Sequence, residues 1–390
     1  MDALYVSLAL LALSLLSGLV AAWEKLGAPE PRRRALGLAA LLLLAVSLMT
    51  QAALEVFESQ ERESVDTFLE SQEKTVEEAS GAAFLKDRLF VVDDEKSELF
   101  EYRYDEELGE AEFKKKYEIL PGPTMRSLIP PETTVGEVDD LEAVATYKKK
   151  LYVVSSHSPD KKNQRNKTRE LILEIGAPDS ALPGDPVAHV ERAATLAPRV
   201  EEELDKLTKL GARMTGEELN IEGLAIDPDG TVYIGLRSPL MEVNDQLYAI
   251  LLQTDVESVF SGKPINRAIG LRLEKGNDNY GITSLDFDGE TLLILGNGPG
   301  KRDFFQPKIW QWRPSPGDLD QPPRADWNLR MPEQFDAKPE ALALSRSGEQ
   351  AFIFVDAPGH GGQRVVSRQD LGLREAATPQ RAAKLAEKRP

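Results

Sequence analysis

A chain of 390 residues has room for about two or three domains or one large β-architecture. It has no cysteine, which excludes disulfide scaffolds, thiol nucleophiles and cysteine-ligated metals, and only 3 histidines, which argues against a multi-histidine metal site. With 47 Lys and Arg against 65 Asp and Glu, a formal charge of −18, it is a poor partner for nucleic acid, whose phosphates need basic side chains.

No charged residue occurs from Ala3 to Trp23, nor from Ala35 to Leu54. Each run matches the ~20 apolar residues that cross a bilayer core. Residues 3–23 and 35–54 are therefore predicted transmembrane helices, and 1–54 a two-helix anchor in the lipid bilayer. Lys25, Arg32, Arg33 and Arg34 lie between them, and cytoplasmic loops collect such charge. The chain after Leu54 is then predicted on the far side of a cell (inner) membrane, extracytoplasmic or periplasmic. Arg32–Ala53 also reads as a signal peptide, which would be cleaved; both readings export the rest. Residues 55–78 read as a polar juxtamembrane spacer.

From residue 79 one pattern returns. A short apolar strand, a tight turn and a β-branched or aromatic strand appear at Ala79–Ala83 with Leu89–Asp94 and at Asp140–Ala145 with Leu151–His157. They appear again at Asn220–Ala225 with Val232–Arg237, Gly281–Asp286 with Leu292–Asn297, and Lys338–Ala343 with Ala351–Asp356. The turns carry Asp227-Pro228-Asp229-Gly230, Asp288-Gly289 and Ser347-Gly348, the punctuation of a hairpin. Third strands are expected at 170–175, 246–253 and 308–313, and fourth strands at 187–196, 268–273 and 325–331. Four strands at a period of ~60 residues suit a β-propeller blade. The predicted fold is all-β, a propeller over 79–370 with five blades, six being the alternative count and an irregular sandwich the alternative fold. The outermost strand of the last blade must come from near 64–69 or be missing. Val200, Leu204, Leu207 and Leu210 recur at helical spacing within an insert at 199–219. Residues 371–390 read as a disordered tail.

In a propeller the heads of the innermost strands and the ends of the second strands gather at one mouth. Here the heads are Asp140, Glu142, Asn220, Glu222, Thr283 and Glu340, and the ends include Asp94, His157, Arg237, Asn297 and Asp356. Glutamates converging from separate blades repel one another, so a cation, protonation or Arg237 must compensate. Three readings stand together: each Glu accepts amide hydrogen bonds from the next blade; Glu142, Glu222, Glu340, Asn297 and Asp356 hold Ca²⁺ or Mg²⁺; or the mouth is an acidic pocket for a cationic organic ligand. Asp94, Asp140, Asn220, Arg237 and Thr283 would then contact the ligand. His157 is the one candidate proton carrier, against the plainer reading of a loop histidine satisfied locally. Gly296–Gly300 resembles a phosphate loop, but the sequence after it offers no helix to supply a dipole. Trp310 and Trp312 alternate with Gln311 and are expected to pack between blades.

The runs Ser80-Gly81-Ala82-Ala83 through Glu95, Asp140-Leu141-Glu142, Ser155–Ser158, Asn220–Ala225 with Gly235–Pro239, and Tyr280–Leu285 resemble a bacterial family catalogued as a domain of unknown function and expected to be a β-propeller. The resemblance spans residues 79–370. More distantly, the Glu-Gly strand head is similar to that of gluconolactonase-like and phytase-like esterase propellers. There the resemblance implies a divalent metal on Glu, Asn and Asp, which would fall on Glu142, Glu222, Asn297 and Asp356. Ser80 and Thr283 depart from that pattern, standing where an acid would be expected. The expectation from sequence is a membrane-anchored extracytoplasmic propeller that binds a ligand or partner at its acidic mouth. The alternatives are a metal-dependent hydrolase of esters, lactones or phosphoesters, with His157 or a carboxylate as base, and a scaffold using blade edges.

Overall fold

Hairpin follows hairpin along the chain, and the pairing explains why the sequence repeats. The computed structural model describes Val76 and residues 78–94, 98–105, 110–120, 138–160, 162–178, 187–273, 280–289, 291–297, 307–314, 327–328, 338–345, 347–356 and 362–367. The first blade is β1 (Ala79–Leu85), β2 (Arg88–Asp93), β3 (Glu98–Asp105) and β4 (Glu110–Leu120), each antiparallel to the one before it. The second is β5 (Leu141–Tyr147), β6 (Lys150–Ser155), β7 (Leu171–Gly176) and β8 (Val187–Thr195). Helix α1 (Ala197–Lys209) leads into the third: β9 (Arg213–Ile226), β10 (Thr231–Val243), β11 (Gln246–Asp255), a short helix α2 (Val256–Ser261) and β12 (Arg267–Leu271). The fourth is β13 (Gly281–Asp288), β14 (Thr291–Asn297), β15 (Lys308–Trp312) and β16 (Trp327–Asn328). The fifth is β17 (Lys338–Leu344), β18 (Gln350–Asp356) and β19 (Gly362–Ser367).

The apolar runs show how the blades face one another. Side chains alternate across a strand, and in β2 the alternate residues enter two different cores: Phe90 and Val92 pack with the second blade, Leu89 and Val91 with the fifth. In β6, Leu151 and Val153 face the first blade while Tyr152 and Val154 face the third. β14 divides likewise, with Leu292 and Ile294 on one side and Leu293 and Leu295 on the other. A strand buried on both faces reads as a continuous hydrophobic run, which is why Leu89-Phe90-Val91-Val92 lacks the alternation of a half-exposed strand.

The five cores form a cycle, since each joins one blade to the next and the last joins the fifth to the first. The inner strands follow the same order, with β1 against β5, β5 against β9, β9 against β13, β13 against β17 and β17 back against β1. This is a β-propeller arrangement of five sheets among the described residues. The closing seam is aromatic: Phe84 meets Phe352 edge-on with ring centroids 5.2 Å apart, Tyr104 meets Phe352 at 5.1 Å, and the Tyr104 hydroxyl donates to Gln350 Oε1. Trp310 and Trp312 share the core between the third and fourth blades, as their spacing predicts. Blades one and two are also joined at their rims, where Glu118–Leu120 of β4 pair in parallel with Val187–His189 of β8.

Two buried carboxylates brace the third strands. Glu101 accepts Arg88 Nε at 2.6 Å and Nη2 at 2.8 Å together with the Tyr117 hydroxyl at 2.5 Å. Glu174 accepts Lys150 Nζ at 2.6 Å, the Tyr152 hydroxyl at 2.9 Å and Arg192. Burial works to raise the Glu174 pKa, but the hydrogen bonds from Arg192, Lys150 and Tyr152 outweigh it and hold the carboxyl below its ordinary value.

Several expectations are corrected or fall outside the described residues. The insert at 199–219 is helical only as far as Lys209; residues 213–219 extend β9, because Arg213, Met214 and Thr215 pair with Glu242, Met241 and Leu240. Only Ala197 and Val200 of α1 are buried, so its apolar stripe packs at one end and Leu210 is 85% exposed. No described helix is long and apolar enough to cross a membrane; the segments 3–23 and 35–54, most of the spacer, residues 64–69 and the tail 371–390 lie outside the described residues.

Candidate functional site

The repeated strand head is a repeated β-bulge. In β1, β5, β9, β13 and β17 the pairing with the second strand skips one residue, and the skipped residues are Ser80, Glu142, Glu222, Thr283 and Glu340. A bulge leaves one residue out of the ladder and turns its side chain away from the pleat. All five are buried. Two of them carry hydroxyls that serve the fold: Ser80 Oγ donates to the Leu141 carbonyl of the neighbouring blade, and Thr283 Oγ1 donates to Leu295 O at 3.3 Å within its own blade. Two glycines let the strand heads crowd together. A Cβ on Gly81 would lie 2.5 Å from Ala143 Cα, and one on Gly281 would lie 2.3 Å from the Arg237 carbonyl.

The other three bulges place glutamates from separate blades around Arg237. Arg237 Nη1 lies 2.5 Å from Glu222 Oε1 and 3.8 Å from Glu340 Oε1, so one guanidinium stands between two bulge carboxylates. The charge of Glu222 is the main reason its pKa is raised, with burial opposing. Asn220 Nδ2 donates to the same Glu222 oxygen at 2.9 Å. Glu142 feels the Arg237 charge as well, but among the described residues no hydrogen-bond donor reaches its carboxyl, which is 8% exposed. Burial first, then the charges of Glu222, Asp140, Glu340 and Asp94, push its pKa well above the ordinary value. Asp94 is raised to about 8, by burial first and then by a hydrogen bond with the Glu78 carboxyl and the charges of Glu78, Glu340 and Asp93. Acids from four blades therefore act on one another.

The hydrogen bonding of this mouth leaves acceptors over. Asn297, 9% exposed, donates its Nδ2 to Pro339 O at 3.1 Å, and its buried Oδ1 has no donor among the described residues. The same is true of Asn220 Oδ1 and Asp94 Oδ1. Buried polar atoms in folded proteins are nearly always paired, so these three oxygens call for an explanation.

The remaining predicted residues do other work. Asp140, in a left-handed conformation with φ 62°, binds Arg169, Ser156 and Ser158, tying down the loop that follows β6. His157 is 0% exposed; its Nδ1 contacts Ser155 O at 2.6 Å and its Nε2 accepts the Leu196 amide at 3.4 Å. Burial lowers its pKa to about 4, and its charged neighbours are Glu170, Arg165 and Arg199. With both nitrogens engaged by backbone, the imidazole pins the end of β6 to the start of α1, the plainer of the two sequence readings. Thr283 is 1% exposed with its hydroxyl engaged inside its blade. Asp356 ends β18 opposite Lys338, and its side chain lies outside the described residues.

The metal that the distant resemblance implies needs several oxygens converging on one point at about 2.3–2.6 Å. Among the described residues no group of three or more Asp, Glu or His side chains is arranged to hold an ion. Glu222 and Glu340 instead face Arg237. What the sequence did not signal is the bulge itself and the contact between Asp94 and Glu78.

No family model matches the chain, and no curated protein does. Among solved structures it is similar to a Bacteroides ovatus xyloglucan-locus GH43B protein, at 11% identity over 75% of this chain and 53% of that one, with a TM-score of 0.43. It is also similar to a luciferin-regenerating enzyme, at 8% identity over 76% of this chain and 93% of that one, TM-score 0.38. A third is Myxococcus xanthus glutaminyl cyclase, at 10% identity over 75% of this chain and 92% of that one, TM-score 0.37. The chain thus spans about half the length of the first of these.

Proposed function

We propose that this chain is a membrane-anchored extracytoplasmic propeller whose job is to bind a positively charged ligand at its axial mouth. The observation that carries the reading is Glu142: a buried carboxyl that feels the charges of acids from three other blades and accepts no hydrogen bond among the described residues. A protein tolerates such a group where a ligand supplies the missing charge, because pairing an ionised carboxylate offsets the cost of removing it from water. The charge-free runs at 3–23 and 35–54 and the basic loop between them support the anchor and its orientation.

The test is a melting curve of the full chain in detergent, taken with chelator, with Ca²⁺, with Mg²⁺ and with small organic cations. A cation that binds the native state raises the melting temperature by an amount set by its concentration over its Kd, and Glu142→Gln should weaken that rise. No response to any cation would overturn the reading. Protease accessibility of the propeller in intact spheroplasts tests its placement, with digestion from outside as the expected outcome.

A further inference from the structure

Blades two and three are tied together at one buried histidine, independently of any ligand at the mouth. His157 follows β6 in a left-handed conformation, and its backbone amide donates to Arg169 O at 2.8 Å. The carbonyl before it, Ser156 O, accepts the Ile221 amide of β9 at 2.7 Å. The ring completes the junction. A carbonyl only accepts and an amide N–H only donates, so the two partners fix the tautomer. Nδ1 carries the hydrogen toward Ser155 O at 2.6 Å, and Nε2 is left bare to accept the Leu196 amide at 3.4 Å. Leu196 is the N-cap of α1 and brings no side-chain cap. The imidazole therefore satisfies one of the amides that a helix start leaves without a partner. Behind that contact Leu196, Ala197 and Val200 are buried, and Leu196 and Val200 belong to the core shared by blades two and three.

We propose that His157 is an acid-sensitive latch: a second proton on its imidazole releases the start of α1 and loosens the seam between blades two and three. Nε2 holds the one ring electron pair able to take that proton, and once there it would set N–H against N–H. The surroundings add to the conflict. The positive end of the α1 dipole lies against the ring. Arg165 in the loop after β6 and Arg199 in the first turn of α1 repel a cation there. Glu170, just ahead of β7, attracts one but already holds Lys167 and Arg165. Asp140 of β5 is bound by Arg169, and Glu222 of β9 by Arg237. Burial, the largest cause, lowers the pKa of His157 from 6.5 to about 4. A group so shifted binds fewer protons folded than unfolded, so the latch is fully closed above about pH 6.5 and is lost as pH falls to about 4.

The experiment uses full-length protein in detergent with nitrogen-labelled histidines, of which there are 3. Imidazole protonation is followed by NMR, and amide hydrogen exchange of residues 196–209, corrected for intrinsic rates, is followed over the same pH range. The His157 ring, assigned through His189→Gln and His360→Gln, should carry its hydrogen on Nδ1 at neutral pH and stay neutral where an ordinary histidine has already titrated. Protection of 196–209 should fall about tenfold as that ring gains its second proton, while β14 keeps its own. His157→Gln offers an oxygen acceptor that does not titrate, so it should hold the protection throughout. Local exchange is read because Asp94 and Asp286, with raised pKa values, move overall melting in the opposite sense. A hydrogen on Nε2 at neutral pH, or ring protonation without loss of protection, would overturn the proposal. So would His157→Gln losing protection at the same pH as wild type. If that variant fails to fold, the coincidence of ring protonation and lost protection in the wild-type chain decides.

Discussion

The second blade holds two buried glutamates that live opposite lives. Glu174, 1% exposed on the third strand, is surrounded by Lys150, Arg192 and the Tyr152 hydroxyl and is held in its charged form. Glu142, 8% exposed on the first strand, meets other acids and is driven toward its neutral form. Burial pushes both carboxyls upward and is the largest cause at Glu142; at Glu174 the hydrogen bonds from Arg192, Lys150 and Tyr152 outweigh it, and Glu142 has none to set against it. The outer carboxylate closes a bonded network that stabilises the blade. The inner one accepts no hydrogen bond from any described residue, so its environment does not hold it charged as the network around Glu174 does.

Breaking each kind of contact should separate the two roles. The largest effect is expected at Arg237, which lies between two bulge glutamates: Arg237→Met takes the guanidinium from the almost fully buried Glu222 and should cost about 3 kcal/mol in denaturant unfolding. Next, Glu174→Gln should lose about 2 kcal/mol, because charge-assisted hydrogen bonds from Lys150 and Arg192 are weakened while both cations keep some access to water. The matching change in the same blade, Glu142→Gln, should leave stability unchanged or raise it slightly; a loss as large as that of Glu174→Gln would mean that Glu142 serves the fold. The comparison also extends to pH. Asp94 and Asp286 have folded pKa values raised from 3.8 to about 8 and about 7. Groups with raised pKa values bind more protons when folded, so their contribution is full below the unfolded value and is lost as pH rises through the folded one. The melting temperature should therefore fall from about pH 4 to about pH 8, and Asp94→Asn should flatten the upper part of that slope. A slope unchanged in the variant would show that other groups set it.

Much of the ring was legible before any coordinates. The spacing of Ser80, Glu142, Glu222, Thr283 and Glu340 marks the blades, because each inner strand must begin with the same bulge to bring its neighbours into register. The long β9 was not legible: Val200, Leu204, Leu207 and Leu210 continue a helical spacing past the point where pairing with β10 takes over. His157 was ambiguous for a related reason. A sequence shows a histidine near polar residues but not whether its nitrogens meet backbone or solvent, and here Ser155 and Leu196 take both. The donor count at the mouth was likewise invisible, since it depends on which amide groups of Asn220 and Asn297 are already bonded.

The aromatic seam has a consequence for biosynthesis. Phe84 and Tyr104 close on Phe352, so residues near the beginning of the domain wait for residues made some two hundred and fifty positions later, as the Tyr104–Gln350 bond, 246 apart in the chain, illustrates. Until the fifth sheet emerges, Leu89, Val91 and Tyr102 have no cover on that side. Such distant pairing slows folding and leaves a nascent chain sticky. Truncation after the fourth sheet should accordingly yield aggregate rather than a smaller ring, and an exported chain would need a chaperone until its last hairpin has been delivered.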